Sequence, residues 1–158
     1  MRIIVGIGQL RVVDAPSMLV GLALGSCVGL MIYDQLNHVG GLAHIMLPSS
    51  KDGAIDSMPA KFADRAVPLM LDRIERLGGK AVGCRAKLVG GAQMFLGGQG
   101  VKTHVGVRNV EAVKTLLAED RIPIVAEDTG GEYARTVEFN TESFDAVVKS
   151  ILRGQRQI

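Results

Sequence analysis

Residues 18–47, MLVGLALGSCVGLMIYDQLNHVGGLAHIML, hold three apolar runs separated by glycine, serine, aspartate and asparagine. The runs Met18–Leu24, Val28–Tyr33 and Val39–Met46 are rich in Val, Ile and Leu. Each has the length of a strand buried on both faces. Around them, Arg2–Gly6 and Leu10–Asp14 read as further strands. Residues Ala15 to Tyr33 carry no charge, but glycines and a proline interrupt them, and a second apolar run follows closely. Buried strands are therefore expected here, not a membrane span.

Outside this β-rich start, Pro59–Leu77 changes period. Phe62, Ala63, Ala66, Val67, Met70, Leu71, Ile74 and Leu77 recur every three or four positions, as on one face of a helix. Ser57 is expected to cap it, Gly78-Gly79 to end it and Pro68 to kink it. A second helix is expected at Val110–Glu119, capped by Asn109. Strands are expected at Ala81–Val89, His104–Val107, Ile122–Ala126, Ala134–Phe139 and Phe144–Val148. Many strands with two helices predict an α+β fold of stacked sheets, with helices covering one outer face. With 158 residues and no repeat or linker, a single domain over 1–158 is expected.

Composition removes several functions. Eighteen basic against sixteen acidic residues, with no Trp, leave neither a basic footprint nor a stacking surface for nucleic acid. Cys27 and Cys84 form no CxxC pair, and His104 and Cys84 have no near partner at metal-ligand spacing, so no metal or cofactor is expected. The apolar core Ile3–Ile7 is too short for a signal peptide, which predicts the reducing cytoplasm. The glycine-rich segment Gly90–Gly100 lacks phosphate-loop spacing and reads as a loop bordering a substrate groove. His38 reads as a solvated turn residue.

The candidate chemistry centres on Gly25-Ser26-Cys27. A hairpin with Asp34-Gln35-Leu36-Asn37 as its turn opposes Tyr33 to His38, and in that register Cys27 opposes His44. A directly opposed thiol and imidazole would sit about 4.5–5.5 Å apart at Cβ, close enough for the pairing that activates a cysteine nucleophile. Read from the residues alone, Cys27 is either that nucleophile or a structural thiol, and His44 is either its base or a core histidine.

These residues carry a resemblance. Leu24-Gly25-Ser26-Cys27-Val28 and Ala43-His44-Ile45-Met46-Leu47-Pro48 are similar to motifs of the CheD family of chemoreceptor glutamine deamidases. So are Lys61-Phe62-Ala63-Asp64, Lys87-Leu88-Val89-Gly90-Gly91-Ala92 with Met94-Phe95, and Gly106-Val107-Arg108-Asn109. The resemblance implies a three-layer α/β/β sandwich with mixed sheets, like the toxin-type cysteine deamidases. It implies a protein-glutamine glutaminase with Cys27 as nucleophile and His44 as general base, the oxyanion lying near Gly25 and Ser26. It also implies two partners, the cytoplasmic helices of chemotaxis receptors and a CheC-type phosphatase. The family usually places a threonine six positions before the cysteine, where this chain has Gly21. That departure leaves a second reading, a weakly catalytic or non-catalytic regulator of the phosphatase. An unrelated cysteine hydrolase acting on a small amide is a third.

Overall fold

The computed structural model describes residues 1–14, 16–52, 58–96, 101–102 and 104–158. In chain order the strands are β1 (Arg2–Ile4), β2 (Leu10–Val13), β3 (Met18–Leu24), β4 (Val28–Asp34) and β5 (Val39–Ile45). Helix α1 (Ala63–Arg76) follows, then β6 (Cys84–Gly90), the short pair β7 (Phe95–Leu96) and β8 (Val101–Lys102), and α2 (Val105–Glu119). The chain continues with β9 (Ile124–Thr129), β10 (Arg135–Asn140), β11 (Ala146–Ser150) and β12 (Gly154–Gln157).

Two five-stranded sheets form, ordered β1-β3-β10-β11-β12 and β2-β5-β4-β6-β9. Both are mixed: β1 runs parallel to β3 and β6 parallel to β9, and the other pairs are antiparallel. All residues of β4 and β5 are buried, because these strands have a packed layer on each side. Val28, Leu30, Ile32, Ala43 and Ile45 meet Ala63, Ala66, Val67, Met70 and Ile74 of α1 and Val113 and Leu117 of α2. On the other face Met31, Tyr33 and Leu42 meet Leu19, Val137 and Phe139 of the first sheet and Phe144 from the turn between β10 and β11. Helices, sheet and sheet make the expected layers.

Helix α1 begins at Ala63, four residues later than its periodicity suggests, with Phe62 at the N-cap, whose ring can accept no capping bond from the first-turn N–H groups. Ser57 lies outside the described residues. The end is as expected: Gly78 has φ +96°, and Gly79 N–H and Gly78 N–H donate to the Ile74 and Glu75 carbonyls, closing the last turn. The helix continues through Pro68 and forgoes only the bond that an N–H there would make.

Helix α2 departs further from expectation. It starts at Val105, so the strand expected at His104–Val107 is helical, and Asn109 lies in the second turn, not at the cap. Tertiary packing overrides the β-branched sequence. A Cβ at Gly106 would overlap the Ala92 carbonyl oxygen, so this glycine lets α2 lie flat on the chain leaving β6. Strand β7 falls in the segment Gly90–Gly100 expected as loop, and β8 directly follows that segment. β12, whose GQRQ sequence is exposed throughout, carries no apolar pattern to announce it.

Candidate functional site

Gly25-Ser26-Cys27 is the crossing between the sheets: β3 ends in the first, and β4 begins in the second at Val28. Each carbonyl of the crossing is held. Ala92 N–H donates to Gly25 O at 2.9 Å and Gly91 N–H to Cys27 O at 2.8 Å. The Asn109 side-chain amide donates to Ser26 O at 2.9 Å. The chain that follows β6 and the second turn of α2 thus grip three consecutive peptides beside the thiol.

The hairpin register differs from the one expected. Asp34 faces Val39 and Gly29 faces His44. Asp34 uses its carboxylate to cap the turn, accepting from Leu36 N–H, Asn37 N–H and the Asn37 amide, while its backbone stays in the strand. His38, exposed and at φ +53°, completes the reversal. Cys27 is therefore not directly opposite His44. It lies two residues before Gly29, a step that keeps it on the same side of the sheet, because strand faces alternate with period two. Cys27 packs at the edge of the cluster between the sheets, half-buried and free.

His44 is 3% exposed. Its Nδ1 lies 3.1 Å from the Val5 carbonyl oxygen. A carbonyl only accepts, so Nδ1 carries the proton and Nε2 bears the lone pair in the neutral ring. Nε2 is buried without a hydrogen-bond partner, so no hydrogen bond joins it to Cys27. Burial lowers the His44 pKa, with the Val5 carbonyl acting in the opposite sense, and burial pushes the Cys27 thiol up. Both effects favour a neutral thiol and a neutral imidazole over a preformed ion pair.

Gly21 lies in β3, where an added Cβ would meet Val137 Cγ1 at 3.3 Å and Leu24 and Leu42 methyls at 3.7 Å. These surroundings are apolar. The acceptor for the imidazole comes instead from Val5, the residue after β1, whose N–H is tied to Val20 O at 2.8 Å.

Asn109 was missed as a site residue. It is fully buried, and its amide also donates to Met46 O at 3.0 Å, so one side chain bridges the Cys27 crossing and the chain leaving β5. Its Oδ1 is unpaired, and a buried orphan acceptor costs about 1–3 kcal/mol. An amide on the same face as Gly106, Val113 and Leu117 was the available signal, since a polar residue on a buried stripe is the informative one.

The other candidates lie apart. His104 is exposed at the start of α2. Cys84 is buried at the start of β6, its thiol pushed up to about 11 by burial and the nearby Asp34 and Glu75 carboxylates. Among the described residues no three His, Cys, Asp or Glu side chains gather as a metal site, and no helix is long and apolar enough to cross a membrane.

Comparison with known proteins adds identity to this geometry. The sequence model of the CheD family, described as CheD chemotactic sensory transduction, matches residues 46–150. A chemoreceptor glutamine deamidase CheD of Halalkalibacterium halodurans is 44% identical over 98% of this chain and 96% of its own length. Probable chemoreceptor glutamine deamidases CheD of Clostridium novyi and Clostridium botulinum are 41% and 40% identical, each over 98% of this chain and 96% of their own lengths.

Proposed function

The chain belongs to the CheD family, and on that premise we propose that it deamidates glutamine side chains of chemoreceptors with Cys27 as nucleophile and His44 as base. The observation that carries the site assignment is the His44–Val5 contact, which leaves the lone pair on Nε2, the nitrogen without a partner.

Because the resting pair is neutral, the thiol loses its proton as it attacks. Cys27 Sγ adds to the glutamine amide carbon while His44 Nε2 takes the thiol proton. The tetrahedral oxyanion falls to backbone N–H donors at Ser26-Cys27. The imidazolium, stabilised by the Val5 carbonyl, returns the proton to the departing nitrogen, and ammonia leaves a thioester. Water, deprotonated by His44, cleaves the thioester to glutamate and restores the thiol. On the receptor each turnover replaces a neutral side chain by a carboxylate, and added like charge on a helical bundle shifts its conformational balance.

The non-catalytic reading drew on the glycine at position 21. The Val5 carbonyl supplies an acceptor for Nδ1 without a side chain there, which favours catalysis. A CheC-type phosphatase is the second partner we propose, on the strength of family membership. The cytoplasm, where the receptor helices lie, is the compartment this activity requires. Incubation with a receptor cytoplasmic fragment, read by peptide mass spectrometry, tests the proposal: specific glutamines gain about 1 Da as NH₂ becomes OH. A fragment left unmodified by the wild-type protein contradicts it.

A further inference from the structure

We infer that Asn109 is a positioning residue for the reaction, one that turns the Cys27 N–H outward as an oxyanion donor and holds it in register with His44. The inference rests on the deamidase reading and adds a residue to it.

Three observations lead there. First, the Ser26 carbonyl and the Cys27 N–H belong to one peptide unit. Every peptide described is trans, so the two groups point in opposite directions. The Asn109 amide takes the Ser26 carbonyl from the α2 side at 2.9 Å, and the Cys27 N–H must therefore face away from α2. Second, that N–H has no acceptor among the described residues, as a donor reserved for a transient oxyanion would not. Third, the same Asn109 nitrogen donates to Met46 O at 3.0 Å, two residues beyond His44. The oxyanion donor and the strand bearing the base are thus hung from one nitrogen. Asn109 is itself fully buried, so it acts through the backbone it holds and not by contact with solvent-borne substrate. Both bonds go to carbonyl oxygens, which fixes the orientation of the amide and leaves Oδ1 as the unpaired atom.

Asn109→Ala and the nearly isosteric Asn109→Leu test this, with Val113→Ala as a control. Val113 lies on the same face of α2 in the helix–sheet core and contributes nothing to the crossing. Two rates are measured for each folded variant. One is conversion of receptor-fragment glutamine, with kcat and KM separated. The other is alkylation of Cys27 by iodoacetamide, resolved by peptide, a displacement in which no oxyanion develops. Losing a single oxyanion donor typically costs 100- to 1,000-fold in kcat. The expected result for the Asn109 variants is a kcat at least about 100-fold lower, with KM and alkylation each within about threefold of wild type. Val113→Ala should keep kcat within about threefold while losing stability, as core truncations do.

Several results overturn the inference. An Asn109 variant that keeps wild-type kcat removes the role. Parallel loss of kcat and alkylation shows general loosening of the thiol, and failure of both variants to fold shows a structural residue. Wild type and Cys27→Ala run in the same assay separate these outcomes from failure of the underlying reading: if wild type converts no glutamine, the deamidase proposal falls, whereas conversion by both Asn109 variants at the wild-type kcat removes only the positioning role.

Discussion

His44 Nδ1 donates to the Val5 carbonyl oxygen across 3.1 Å, and this single contact decides which nitrogen of the ring is free to accept a proton. In the neutral imidazole the lone pair is on Nε2, which is buried and unpartnered.

That arrangement has a pH signature. Burial holds the His44 pKa below its ordinary value of 6.5, so the ring is mostly neutral at pH 6.5, and kcat/KM should fall to half its plateau only below that pH. Stability follows the same group. The unfolded ring, titrating near 6.5, binds a proton before the folded one does, so stability is full above pH 6.5 and declines as the pH falls toward the folded pKa, with a slope of at most about 1.4 kcal/mol per unit. Denaturant melts at pH 7.5 and 5.5 should show a loss in wild type that shrinks in His44→Gln. Equal losses in the two proteins would remove the depressed histidine from the explanation.

The cysteines should differ in reactivity. Cys27 is half-buried with its pKa raised by burial, and Cys84 is 3% exposed with a pKa of about 11. At pH 7.5 iodoacetamide should modify Cys27 more slowly than free cysteine and Cys84 more slowly still, because the thiolate is the reacting species. The rate at Cys27 should rise with pH beyond 9. Alkylation of Cys27 at pH 6 faster than that of free cysteine would reveal a preformed thiolate and contradict the neutral pair.

Restoring the family's threonine gives a third test. Gly21→Thr must place its Cβ 3.3 Å from Val137 Cγ1 among apolar neighbours, a tight fit that also buries a hydroxyl. We expect a stability loss of about 1–3 kcal/mol, as for a polar group entering an apolar site. We expect kcat to stay within about threefold, since Nδ1 already has its acceptor. An increase in kcat beyond tenfold would show that the Val5 carbonyl orients the ring poorly.

A fourth concerns the strand that delivers the crossing. Ala23 sits exposed at φ +50°, where β3 shifts register against β10. A left-handed conformation costs a non-glycine residue about 1–2 kcal/mol, and glycine pays back about 0.5–1 kcal/mol of that in entropy. Ala23→Gly should therefore raise stability by up to about 1 kcal/mol, read as a higher denaturation midpoint. A lower midpoint would mean that Ala23 is not strained in the bulge.

The sequence carried the layered fold in its periods. The apolar runs of β4 and β5 could only be strands covered on both faces, and the three-to-four spacing from Phe62 to Leu77 could only be a surface helix. It also carried the two side chains on which the proposed chemistry rests, through the short runs around Cys27 and His44. Register was beyond it, because Asp34 caps the turn with its side chain while its backbone remains in β4, and no propensity distinguishes that from a turn residue. The N-terminal half of α2 was hidden by β-branched residues that tertiary packing forces into a helix. The Val5 carbonyl was unreadable in principle: a backbone oxygen has no residue identity, and only the meeting of the chain after β1 with β5 brings it to the imidazole.

The most decisive measurement is peptide mass spectrometry of a receptor cytoplasmic fragment after incubation with wild type, Cys27→Ala and His44→Gln. Wild type should convert particular glutamines to glutamates. Cys27→Ala should convert none, and His44→Gln should be slower by about 100-fold or more, the usual contribution of a general base. Conversion by Cys27→Ala at the wild-type rate would show that the thiol is not the nucleophile and that the chemistry lies elsewhere in the fold.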